Sequence, residues 1–161
     1  MSVCLISDRS VIEAGPDEGE AVRRLFRAYA EWLGVSLCFQ GFDEEVAGLP
    51  GAYAPPAGRL LVARAGGDVV GCVALRPLGP GVCEMKRLYV APGFAGAGIG
   101  RALAERIIEK ARAIGYEKMR LDTIPERMPA AQHLYESLGF REIPAYYDNP
   151  LEGVVMLELT L

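Results

Sequence analysis

No stretch of this chain is apolar for the length that a bilayer crossing requires, the longest apolar runs being strand-sized, so no membrane span and no membrane partner is expected. Histidine is nearly missing, with His133 alone in the sequence. The cysteines Cys4, Cys38, Cys72 and Cys83 form no Cys-x-x-Cys pair, which removes the usual ligand spacing of a zinc site. No metal is expected, and the thiols read as reduced and partly buried. The opening MSVCLISDRS has no basic leader followed by a long apolar segment, so the expected location is cytoplasmic. There is no surplus of positive charge either: 17 Lys and Arg face 21 Asp and Glu, a net charge of −4. That balance disfavours a general nucleic-acid binder and suits a neutral or cationic small molecule better. Repeats and low-complexity segments are absent. A chain of 161 residues that is 51% apolar buries one sizeable core without staples and has no room for a second, so residues 1–161 are expected to form a single domain.

What is present centres on Glu84 to Ile114, EMKRLYVAPGFAGAGIGRALAERIIEKARAI. Leu88, Tyr89 and Val90 favour a strand, which Pro92 ends. Gly96, Gly98 and Gly100 then allow a tight turn, and Ile99, Leu103, Ile107, Ala111 and Ile114 recur at helical spacing. A glycine loop opening directly into a helix presents unpaired N–H groups at the positive end of the helix dipole, a site for an anion such as phosphate. Gly100, Arg101 and Ala102 stand where a Walker loop needs Gly-Lys-Ser/Thr, so that reading fails. A dinucleotide fingerprint fails too. Its third glycine falls at Leu103, a Pro-containing loop separates Val90 from Gly96, and Asp122 is more simply a strand-end residue.

The run Val90, Ala91, Pro92, then Ala95, Gly96, Ala97, Gly98, Ile99, Gly100 and Arg101, resembles the central signature of the GCN5-related N-acetyltransferases (GNAT). Their second signature, Asn-x-x-Ala-x-x-Leu-Tyr followed by Gly-Phe, is similar to Ala131, Leu134, Tyr135, Gly139 and Phe140, with Met128 at the Asn position. Ala95 likewise stands where the family has Arg or Gln. The resemblance implies acetyl-CoA as co-substrate. The Gly96 to Arg101 backbone would then hold the pyrophosphate, and Leu88, Tyr89 and Val90 would hold the pantetheine and thioester, a Val90 N–H serving the oxyanion. It implies a single α/β (α+β) domain with a mixed, twisted sheet of about seven strands flanked by about four helices. The implied reaction is direct attack by a small primary amine or amino-acid-like acceptor. A protein N-terminus or lysine, or a coenzyme A binding module without turnover, are the alternatives, and a homodimer is kept open.

Along the chain, Val3 to Ile6 and Val11 to Ala14 are both strand-like, the second favoured for the sheet. Pro16 opens a helix whose stripe is Val22, Leu25, Phe26, Tyr29 and Leu33, stopped at Gly34. Asp43 to Leu49 predicts a short helix, followed by a Pro- and Gly-rich loop. Arg59 to Ala65 and Val69 to Leu75 form a hairpin over Gly66 and Gly67, and Pro77 to Gly81 turns the chain into the Glu84 strand. Past the central helix come a strand at Lys118 to Thr123, parallel to the Glu84 strand, a helix from Pro129, and strands at Phe140 to Ile143 and Val154 to Leu161.

An amine enters as its ammonium, with an ordinary lysine pKa near ~10.4, so neutralising it at pH 7 costs about 4 to 5 kcal/mol. Glu84 is the candidate base, with ion pairing to Lys86 or Arg87 as the plain alternative. Tyr135 is the candidate acid for the leaving thiolate, with core packing as its alternative. His133 is off the Tyr135 face and reads as a surface or packed residue rather than a base. Cys83 as an acyl carrier is disfavoured, because alternation sends it to the face opposite Glu84. Trp32, Phe39 and Phe42 are set down as acceptor-pocket or core aromatics. Tyr146, Tyr147, Asp148 and Asn149 form a loop suited to a cation or to a plain turn.

Overall fold

The computed structural model describes residues 11–161, and the side chain of Phe39 lies outside the description, as does the strand reading at Val3 to Ile6. The order is β1 (Val11–Glu13), α1 (Gly19–Leu33), α2 (Phe42–Ala47), β2 (Arg59–Ala65), β3 (Asp68–Gly79), β4 (Val82–Val90), α3 (Ile99–Ile114), β5 (Lys118–Thr123), α4 (Pro129–Ser137), β6 (Arg141–Ile143) and β7 (Val155–Thr160). The seven strands make one sheet in the order β1-β2-β3-β4-β5-β7-β6, antiparallel except where β4 meets β5. This is the expected α/β architecture. Leu61, Val73, Leu75, Leu103, Ile107 and Leu121 build the core under α3. Val22, Phe26, Val62, Cys72 and Ala74 build a second one under α1 and α2 on the opposite face.

β3 runs further than the predicted turn, through Pro77 to Gly79. Its pairing with β2 ends at Arg59 and Leu75, so Pro77 lies on a stretch with an open edge, where a missing N–H costs no ladder bond. Gly66 and Gly67, at φ 59° and 92°, make the tight hairpin turn before it.

Two irregularities in β4 position everything that follows. Against β5 it is paired only from Val82 to Glu84, so from Met85 onward the two parallel strands part. Against β3 it is bulged: Cys72 pairs with Tyr89 and Ala74 with Lys86, which leaves Arg87 and Leu88 opposite Val73 alone. Arg87 takes φ 60°, a left-handed conformation costing about 1–3 kcal/mol for a residue with a side chain. Its surroundings hold it there. The guanidinium donates to Glu45 at 2.8 and 3.0 Å and to Gln40 at 2.9 Å, and it lies over the rings of Tyr29 and Phe42. A bulge bends its strand, and this one turns the end of β4 away from β5 to open a slot.

Candidate active site

Two cavities lie on either side of the slot. One, of about 430 Å³, is lined by Trp32, Leu88, Tyr89, Val90, Pro92, Phe94, Ala95, Gly96 and Gly100 with Met128, Ala131 and Leu134 of the α4 segment. The other, of about 450 Å³, is lined by Gln40, Glu45, Arg76, Glu84, Lys86, Arg120, Tyr146, Tyr147 and Asp148 among others. Between them are narrow spaces bordered by Tyr29, Lys86, Leu88, Asp122, Met128 and Tyr135.

In the first cavity the expected strand end and loop lie together. Gly96 and Gly98 have φ of 80° and 79°, and Gly98 caps α3, whose first turn-closing bond runs from the Ala102 N–H to the Gly98 carbonyl. The N–H groups of Ile99, Gly100 and Arg101 therefore lie in the first turn, which supplies them no intrahelical acceptor. The side chains divide. Ala95, Gly96 and Gly98 are exposed, Ile99 is buried in the core, and Ala97 packs partly against it. The Arg101 guanidinium donates to Glu105 and to the Ser137 hydroxyl on α4, so it is engaged there and is no replacement for the long side chain missing at Ala95. Tyr89 is buried against Tyr29 and Trp32, with ring centroids 6.2 and 5.9 Å away. Trp32, half exposed, borders this cavity and not the other; its place at the last turn of α1 carries it to the Tyr89 side. Phe42 is core, under Arg87.

Tyr135 is buried on α4 beside Phe140 and borders the slot. Its hydroxyl has no hydrogen-bond partner among the described residues, and burial raises its pKa, so it stays a protonated donor at neutral pH. Met128, in the position of the family Asn, caps α4 without a side-chain hydrogen bond and borders both the slot and the first cavity.

In the second cavity Glu84 is 1% exposed. Its Oε1 accepts from Arg76 at 2.7 Å and lies 3.8 Å from the Lys86 ammonium, while its Oε2 accepts from the Tyr146 hydroxyl at 2.6 Å. Lys86, not Arg87, is thus its neighbour, and Arg76 is a partner that sequence proximity did not offer. Asp122, set aside as a strand-end residue, stands at the slot. It accepts from the Tyr147 hydroxyl and from Asn149. Burial pushes its carboxyl above the usual range, Lys86 opposes that, and Glu84 adds to the rise. The loop from Tyr146 to Asn149 is therefore tied to both carboxylates and forms a wall of this cavity. Burial likewise pulls the Lys86 ammonium below its usual range, with Glu84 opposing.

The disfavoured candidates fall as their patterns imply. Cys83 is fully buried on the α3 face, its thiol pushed up to about 12 by burial, and His133 is exposed. Among the described residues no group of three or more His, Cys, Asp or Glu side chains is placed to hold a metal. No described helix is long and apolar enough to cross a membrane.

The cleft between parting parallel strands has a glycine-capped helix at one end, and comparison with known proteins identifies the family. Residues 20–140 match the model of the Acetyltransferase (GNAT) family, and the chain belongs to that family. An uncharacterized N-acetyltransferase of Schizosaccharomyces pombe is 41% identical over 148 residues, covering 91% of this chain and 90% of that protein. The N-acetylaspartate synthetase of Danio rerio is 38% identical over 112 residues, 68% of this chain but 39% of that protein. A GNAT-family acetyltransferase from Staphylococcus aureus Mu50 superposes with a TM-score of 0.78 at 19% identity, over 94% of this chain and 98% of its own, a likeness of fold. The chain is an N-acetyltransferase, of a family that uses acetyl-CoA.

Proposed function

We propose that the chain transfers the acetyl group of acetyl-CoA directly to a small primary amine or amino-acid-like acceptor. The observation that carries this is the slot itself, one opening between β4 and β5 with a cofactor-sized cavity on one side and a polar cavity on the other. Acetyl-CoA enters from the first, its pyrophosphate at the Gly96 to Arg101 backbone and its pantetheine along Leu88 to Val90. The acceptor enters from the second. Its ammonium first loses a proton to the Tyr146 oxygen, whose own hydroxyl proton passes to Oε2 of Glu84 across the 2.6 Å hydrogen bond. The free amine then attacks the thioester carbon, the carbonyl oxygen takes the charge, and the C–S bond breaks as the tetrahedral species collapses. Tyr135 donates its proton to the departing thiolate and recovers one from the nitrogen through the slot. The N-acetylaspartate synthetase relative supports an amino-acid-like acceptor.

The test is release of free coenzyme A thiol, with mass analysis of the product, across small amines, amino acids, and peptides carrying a free N-terminus or lysine. Acetylated small acceptors are the expected product. Acetylation confined to peptides would select the protein-substrate alternative, and coenzyme A binding without thiol release would select a module that does not turn over.

A further inference from the structure

The charges beneath the acceptor cavity are arranged by strand register. Arg76 on β3 is opposite Glu84 on β4, Glu84 is opposite Arg120 on β5, Arg120 is opposite Glu158 on β7, and Glu158 is opposite Arg141 on β6. The signs alternate along this row, but the cations outnumber the anions that serve them. Glu84 is shared by Arg76 at 2.7 Å and Lys86 at 3.8 Å, and Glu158 by Arg120 at 2.8 Å and Lys118 at 3.4 Å. Glu45, a further lining carboxylate, is taken up by Arg87.

The cations that line the cavity are therefore only partly satisfied. A guanidinium has five N–H donors in a fixed fork. Arg120 spends its Nε on Glu158, and its plane is held over the Tyr146 ring. Arg76 spends Nε and one terminal nitrogen on a single Glu84 oxygen. Their side chains are 29% and 39% exposed, so donors remain on the cavity wall. Lys86 sits deeper, 6% exposed, with the Gln40 amide oxygen at 3.1 Å as its near neighbour. Asp148, also lining the cavity, has no ion-pair partner among the described residues, and Asp122 stands at the slot. The cavity thus offers cationic donors on its floor and carboxylates toward the slot and the loop.

We infer that the acceptor is a free amino acid, its carboxylate held by Arg76 and Arg120 with Lys86 adding charge, and its ammonium directed to the slot by Asp122 and Asp148. This rests on the acetyl-transfer reading and names the substrate class for the same site.

The test compares acceptors that differ only in the carboxylate. L-aspartate, L-glutamate and L-alanine are each set against the α-amide, with ethylamine and a lysine-containing peptide as further arms, and kcat/KM is read by thiol release. The carboxylate forms are expected to be preferred by about 10-fold or more, because an amide leaves the guanidiniums unpaired. In Arg120→Gln that ratio should narrow by about the same factor through KM, with acetyl-CoA affinity showing that the variant is folded. Amides, ethylamine or the peptide matching the amino acids would overturn the inference while leaving acetyl transfer intact. A wild-type ratio in Arg120→Gln would also overturn the guanidinium assignment. Binding of acetyl-CoA without thiol release in the presence of any of these acceptors would overturn the acetyl-transfer reading itself, a different result.

Discussion

Asp122 is held in a place where its charged form is expensive. Desolvation raises its carboxyl pKa in the fold, so the fold favours the protonated form. The sign follows: for a carboxylate raised above its unfolded value, stability is full when both states are protonated and is lost as pH rises through the unfolded and then the folded pKa. Asn imitates the protonated acid and can still accept from Tyr147. Asp122→Asn is therefore expected to melt higher than the wild type at pH 7, with the difference vanishing as pH falls below the ordinary aspartate value of about 3.9. Thermal melts across that range check it, and an equal or lower melting temperature at pH 7 would contradict the assignment. A residue kept at such a cost beside Lys86 and the slot fits a role toward a substrate cation. Glu84 is different in kind: both its oxygens are already occupied, by Arg76 and by Tyr146, and in the proposed reaction the latter is the route by which a proton reaches it.

At the scale of elements, the bulge in β4 and the N-terminus of α3 share the work. The bulge aims Leu88 to Val90 along the first cavity, and the Gly98 cap exposes the first N–H groups of α3. Gly98 at φ 79° is a position where a β-branched side chain is strained, and in the proposed binding mode its backbone approaches the pyrophosphate. Gly98→Val is expected to weaken acetyl-CoA binding by about 10-fold or more while the fold persists. Trp32 reports it, since it is the sole tryptophan and borders the cavity, so its fluorescence should change as wild-type protein is titrated. Unchanged affinity in Gly98→Val would remove the loop from the site. The loop and helix were legible in the sequence because their signal is local: glycines, a strand before them and a 3.6-residue period after. The acceptor side was not. Arg76, Glu84, Arg120 and Glu158 become one row only through strand register, which no spacing along the chain displays. Tyr146 and Tyr147 were visible as an aromatic and acidic loop, but nothing local ties them to Glu84 and Asp122. The sequence left Trp32 open between pocket and core, because helical periodicity gives a face and not the neighbour that face meets.

As a whole, the molecule is a sheet opened along one seam, with cores on both faces keeping it open. Val82 to Glu84 fasten β4 to β5 at one end of the seam, and Arg87, locked by Glu45 and Gln40 from the α2 side, keeps the other end bent outward. In the proposed reaction acetyl-CoA and acceptor meet through this opening, and Tyr135, which borders it, has a hydroxyl without a hydrogen-bond partner among the described residues. The most direct measurement is therefore the turnover of Tyr135→Phe, which deletes the hydroxyl and keeps the ring against Phe140. Under conditions where chemistry limits the rate, kcat is expected to fall by about 10²-fold or more, with acetyl-CoA affinity and melting temperature close to those of the wild type. Wild-type kcat in Tyr135→Phe would contradict proton donation by Tyr135 and the account of the slot as the place where the thiolate leaves.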